Sequence, residues 1–79
     1  MYLRCENTLA NGASSTKFWQ GENTHAELVI RWGREGTAGQ QKAFPAAECS
    51  RQSPGNELLE RVTRKLREGY SLIINKSTL

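Results

Sequence analysis

The chain has 79 residues, an ordinary apolar and charged content and a net charge of +3. That length makes one small domain, which buries only about 60% of the surface its unfolded chain exposes and leaves little room for a deep catalytic cleft beside the core. No apolar run exceeds four residues, which excludes a transmembrane span and a signal-peptide core.

Two cysteines, Cys5 and Cys49, are too few for a disulfide scaffold, and neither belongs to a Cys-x-x-Cys pair. They read as small reduced side chains of a cytosolic protein. Asn75-Lys76-Ser77 fits the glycosylation pattern, but nothing else suggests secretion. Residues 1–50 balance Arg4, Lys17, Arg31, Arg34 and Lys42 against Glu6, Glu22, Glu27, Glu35 and Glu48. Residues 51–79 carry Arg51, Arg61, Arg64, Lys65, Arg67 and Lys76 against Glu57, Glu60 and Glu68, so the whole excess lies in the C-terminal third. A basic third favours a polyanion partner without demanding one.

In chain order, Tyr2 to Glu6 alternates and predicts a half-buried strand with Leu3 and Cys5 inward. Asn7 to Thr16 has loop composition, centred on Asn11-Gly12-Ala13-Ser14-Ser15. Lys17 to Gln20 predicts a second strand, in which adjacent Phe18 and Trp19 take opposite faces, so at most one enters the main core. Gly21 to Ala26 reads as a polar turn, with the lone His25 solvated and without a second ligand at metal-binding spacing. Glu27 to Arg34 predicts the third strand, with Leu28 and Ile30 on one face and Val29 and Arg31 on the other.

Gly36 to Gly39 supplies a reversal. Gln40 to Phe44 returns as a strand anchored by Phe44, and Pro45 ends the pairing. Ala46 to Gln52 reads as a loop with a short helical turn. Ser53 and Pro54 predict a helix start. Leu58, Leu59, Val62 and Leu66 predict its buried stripe, and Gly69 its end. Tyr70 and Leu72 to Ile74 predict a last short strand. The fold class is α+β: a twisted antiparallel sheet of four to five strands with one C-terminal helix packed on one face. One domain spans residues 1–75, and residues 76–79 form a frayed tail.

No catalytic constellation stands out. The chain has one His and no Asp, and its glutamates are scattered singly. Gly33-Arg34-Glu35-Gly36 matches the Gly-x-x-Gly of KH domains, but that loop joins helices and this one follows a strand. Trp32 and Arg34 are two apart, so a continuing strand sends both to one face, the face of Leu28 and Ile30. At the strand end they can emerge past the helix, and Gly33 between them allows close approach of a ligand backbone. An aromatic ring beside a guanidinium suits a nucleotide, with the ring on a base or sugar and the arginine on phosphate. From the pattern alone, a core tryptophan and a solvated arginine are the commoner outcome. On the helix, Glu57 with Arg61, Glu60 with Arg64, and Arg64 with Glu68 predict self-neutralising pairs, while Arg61 and Lys65 make a small basic ridge.

Lys17-Phe18-Trp19, Leu28 to Trp32-Gly33-Arg34, Gly36-Thr37, Gly39-Gln40, Lys65-Leu66 and Gly69-Tyr70 together resemble a WGR domain. The resemblance runs from about Tyr2 to Tyr70. That family occurs in poly(ADP-ribose) polymerases, in bacterial proteins resembling a molybdate-metabolism regulator, and as small stand-alone bacterial proteins. It implies an antiparallel sheet with one helix and, from the polymerases, binding to DNA near strand breaks. Matched residue by residue, it implies that Trp32 packs on a terminal nucleotide and that Arg34 holds DNA. Lys65 matches a basic residue near the helix end. Glu35 departs from the aliphatic residue usual after the triplet, and a carboxylate beside a phosphate site weakens binding by repulsion.

The expected function is a non-catalytic nucleic-acid module for DNA ends or breaks, with Trp32, Gly33, Arg34, Arg61 and Lys65 as its site. The alternative is a protein-docking module with Trp32 as aromatic anchor. Neither needs a cofactor, a metal or a membrane, and both fit a cytoplasmic monomer.

Overall fold

The computed structural model describes residues 1–8, 12 and 14–73. They form strand β1 (Tyr2–Thr8), β2 (Ser14–Asn23), β3 (Glu27–Arg34) and β4 (Gln40–Pro45), then two 3-10 turns (Ala46–Glu48 and Ser50–Gln52), helix α1 (Pro54–Arg67) and strand β5 (Ser71–Ile73). The sheet order is β4-β3-β2-β1-β5 and every pairing is antiparallel. The chain is thus α+β, with α1 on one face of an open sheet. Ile74 and the predicted tail at 76–79 lie outside the described residues.

Register decides which side chains reach the helix, because directly opposed residues share a face. Leu3 opposes Trp19, which opposes Trp32; Gly21 opposes Ile30, which opposes Lys42; Leu28 opposes Phe44. These rows look toward α1. Leu3, Trp19, Leu28, Ile30, Cys49, Leu58 and Val62 form the core, with Trp32, Phe44 and Tyr70 packed at its margin. Phe18 alternates to the open face and is nevertheless buried. Tyr2 stacks beside it at 6.0 Å and Arg31 lies over its ring at 5.8 Å. So one of the adjacent pair enters the main core, and the other is covered by a small aromatic and cationic cluster.

Two boundaries differ from those expected. The segment expected as a loop at residues 7–16 is strand at Asn7–Thr8 and again from Ser14, since β1 and β2 stay paired out to Thr8 and Ser14. Gly21 to Asn23 continues β2 and is not a turn; only Thr24 to Ala26 turns. Gly21 serves packing: a Cβ there would stand 2.5 Å from a Leu58 methyl and 2.9 Å from the Trp19 ring. Its hydrogen lets the helix sit close to the sheet.

Ser53 caps α1, its Oγ accepting the Asn56 N–H at 3.3 Å, and Pro54 fills the first turn. The buried stripe is narrower than predicted. Pro54, Leu58 and Val62 are buried, whereas Leu59 and Leu66 are exposed. The helix rotates by about 100° per residue, which sets Leu66 and Leu59 roughly 80° and 100° from the middle of that buried line. The other flank is covered by Arg61, over the Phe44 ring at 4.6 Å, and Lys65, over the Tyr70 ring at 5.2 Å. On this flank cationic groups over aromatic rings stand where leucines were expected.

The helix ends in a reciprocal carbonyl cap. Gly69 has φ 104, its N–H bonds the Leu66 carbonyl at 3.3 Å, and the Tyr70 N–H bonds the Lys65 carbonyl at 3.1 Å. This turn sets Tyr70 against the core margin and starts β5 along β1.

Between β4 and α1, the first carboxylates of the helix hold the 3-10 turns. Glu57 accepts the Ser50 N–H at 2.8 Å, and Glu60 accepts the Ser50 hydroxyl at 2.6 Å. Glu57 also accepts from Arg61 Nε at 2.6 Å, the one expected i,i+4 pair that forms. Glu60 is taken by Ser50, and Glu68 pairs with Lys65 at 3.3 Å, so neither expected Arg64 pair forms among the described residues.

Candidate functional site

The site is built on the hairpin of β3 and β4. Its loop brings Gly33 and Gly39 together: a Cβ on Gly33 would stand 2.9 Å from the Gly39 Cα, and one on Gly39 would overlap the Trp32 carbonyl oxygen. Gly39 also has φ 70, a conformation that glycine alone adopts freely. The close approach that Gly33 permits is therefore made by the chain's own hairpin. Thr37 closes the loop, its N–H and hydroxyl both donating to the Arg34 carbonyl at 3.2 and 2.7 Å.

That hairpin presents Trp32 half-buried at the edge of the core and Arg34 exposed beyond it. Both line one cleft of about 400 Å³, together with Ser15, Lys17, Gly33 and Tyr70. Lys17 is the direct cross-strand neighbour of Arg34. Two cations thus stand side by side at the mouth of an aromatic cleft. Like charges in that position repel, and an anion between them relieves the repulsion. Among the described residues neither side chain has an ion-pair partner. Burial pushes the Tyr70 hydroxyl above its ordinary value, with Cys5 and Glu68 adding to the shift. Tyr70 therefore stays protonated and able to donate at neutral pH.

A second recess, of about 210 Å³, lies on the other flank of Trp32, lined by Trp19, Ile30, Trp32, Phe44, Arg61 and Lys65. Trp32 belongs to both openings, and the contact of Lys65 with Tyr70 joins them. Of the site residues expected from sequence, Trp32, Gly33 and Arg34 meet at the cleft, while Arg61 and Lys65 meet Trp32 in the recess. Both helix cations are already held by Glu57 and Glu68.

Glu35 does not face the cleft with its charge free. Its carboxylate accepts from Arg4 Nε at 3.0 Å and the Tyr2 hydroxyl at 3.2 Å. Tyr2 and Arg4 alternate with buried Leu3 and so lie on the open face of the sheet. The contact with Glu35 and the partial burial of the ring raise the Tyr2 pKa, burial being the larger cause. The repulsion expected from Glu35 is thus largely met by Arg4.

Sequence reasoning missed Ser15, Lys17 and Tyr70. Lys17 was legible only through register, since the length of β2 decides which residue faces Arg34. Tyr70 was legible through the glycine cap that turns it inward.

A tryptophan at a strand end, a glycine closing on its own hairpin and an arginine beside a second cation are now in one place. A family model for the WGR domain matches residues 2–77. The chain belongs to the WGR family. WGR domains are of the nucleic-acid-binding type and bind rather than catalyse. Neither the curated proteins nor the solved structures yield a match to the chain. Among the described residues of this WGR domain no helix is long and apolar enough to cross a membrane, and no three His, Cys, Asp or Glu side chains group as a metal site.

Proposed function

We propose that this WGR domain is a non-catalytic module that binds DNA at an end or break, as a monomer in the cytoplasm. Trp32 stacks on the terminal nucleotide, and Arg34 with Lys17 holds the adjoining phosphate. Tyr70 donates to the same phosphate from the opposite wall. Arg61 and Lys65 contact the backbone on the helix flank.

The observation that carries this reading is the shared cleft of half-buried Trp32 with Arg34 and Lys17. A ring fixed on one side by the core, with its other edge open, is ready to stack without an ordering cost. Two cations without a carboxylate partner among the described residues supply the charge that a phosphate needs.

Fluorescence titration of a nicked or blunt duplex tests it. Affinity is expected to fall steeply with salt, because each neutralised phosphate releases counterions. Trp32→Ala is expected to weaken binding about tenfold or more, in line with the loss of one stacked base. Arg34→Ala weakens it comparably. A duplex that leaves the tryptophan emission unchanged at low salt would sink the reading. If Trp32→Ala instead releases a co-purifying protein, Trp32 is a protein anchor.

A further inference from the structure

Beyond the backbone contacts given to Arg61 and Lys65, the recess past Trp32 has no task in holding a flush duplex end. Its floor is Trp19, Ile30, Trp32 and Phe44 and its rim is Arg61 and Lys65. A third cation stands beside it: Lys42 opposes Ile30 and so points to the helix side, with Nζ over the Phe44 ring at 5.0 Å. Phe44 is thus contacted by two cations, Lys42 and Arg61, and is still only half-buried. Glu57 fixes the Arg61 guanidinium there at 2.6 Å.

An apolar aromatic floor below a cationic rim is the arrangement by which proteins hold an unpaired base and its phosphate. The recess is half the size of the cleft, about 210 against 400 Å³. Because Trp32 walls both openings, a strand whose last paired nucleotide packs on Trp32 from the cleft side meets the recess with its next nucleotide. The Lys65 contact to Tyr70 carries cationic surface from one opening to the other.

Resting on the DNA-binding reading above, we infer that the recess of Phe44, Trp32, Lys42, Arg61 and Lys65 receives an unpaired nucleotide, so that the preferred DNA carries a single-stranded overhang. The duplex end occupies the cleft, and the overhanging base enters the recess with its phosphate on Lys42 and Lys65.

Hairpin duplexes matched in phosphate number, one blunt and the others with a short 5′ or 3′ overhang, separate this inference from the reading beneath it. Fluorescence anisotropy at low salt is expected to show an overhang of one polarity binding roughly tenfold tighter than the blunt end, the gain of one stacked base. Phe44→Leu keeps an apolar side chain and removes the ring, and Lys42→Ala changes only an exposed residue. Each is expected to abolish most of that preference and to leave blunt-end affinity within about twofold. Equal affinity for blunt and overhanging ends overturns the inference and leaves DNA binding standing. So does a preference that survives both variants. Failure of every duplex to bind at low salt overturns the DNA reading itself, and the inference with it.

Discussion

Glu57 is the residue on which the helix flank depends. One carboxylate accepts from the Ser50 N–H and from Arg61, at 2.8 and 2.6 Å, and so ties the 3-10 turns, the helix and the guanidinium over Phe44 together. The Ser50 bond is the main cause of a Glu57 pKa below the ordinary 4.5, and Arg61 reinforces it. A carboxylate whose pKa is depressed by folding stabilises the native state above its unfolded value and loses that contribution as pH falls through the folded value. Stability of the wild-type chain should therefore decline below about pH 4.5 more steeply than that of Glu57→Gln. At pH 7 Glu57→Gln should be less stable by about 1.5–3 kcal/mol, the range for a hydrogen bond to a charged group. Urea unfolding of both proteins across pH 3 to 7 gives both results. The pairing of Glu57 with Arg61 was legible from spacing. Its bond to Ser50 was not, because that bond depends on where two residues of positive φ, Arg51 and Gln52, turn the chain.

At the scale of elements, the sequence carries the strands better than their ends, and the helix better than its contact face. Alternation identified β1 and β3, and Ser53-Pro54 with Gly69 bounded α1. The face failed because a leucine count cannot register that Arg61 and Lys65 lie over the rings of Phe44 and Tyr70. Leu59→Gln should accordingly shift stability by no more than about 0.5 kcal/mol. Leu58→Ala, inside the core, should remove about 2–5 kcal/mol. Thermal melts of the two variants compare directly, and a large loss for Leu59→Gln would contradict the face assigned here. The hairpin loop gives a second matched pair. Gly36 has φ 91 with open space around it, so Gly36→Ala meets only the backbone penalty, about 1–2 kcal/mol. Gly39→Ala adds a collision with the Trp32 carbonyl. It should destabilise the chain more and should also shift the Trp32 emission, since it displaces the strand that carries that ring.

On the scale of the whole molecule, the two faces of the sheet differ in charge. The helix side carries Lys17, Arg34, Lys42, Arg61 and Lys65 with Glu57 and Glu68, while the open face carries Glu6, Glu22, Glu27 and Glu35 with Arg4 and Arg31. A net charge of +3 hides this division, because the summed value averages two unlike surfaces. Counting residues placed the excess in the C-terminal third, whereas folding brings Lys17, Arg34 and Lys42 from the neutral first part of the chain to the same side as the helix cations. Strand register, which composition does not encode, performs that sorting. On the proposed function, the ligand is held from one side only. Arg31 stands on the open face, bonded to Gln20 at 3.2 Å and lying over Phe18. Lys17 stands in the cleft beside Arg34. Both are single cations on neighbouring strands, so their removal changes net charge equally. If the polyanion sits on the helix side, Lys17→Ala should lower the slope of log affinity against log salt by about 1, the contribution of one phosphate contact. Arg31→Ala should leave the slope unchanged, its charge lying on the far side of the sheet, where salt screens it within about 8–10 Å. DNA titrations of the two variants at several salt concentrations measure both slopes. Equal reductions would mean that attraction comes from net charge alone and that the cleft does not position the phosphate.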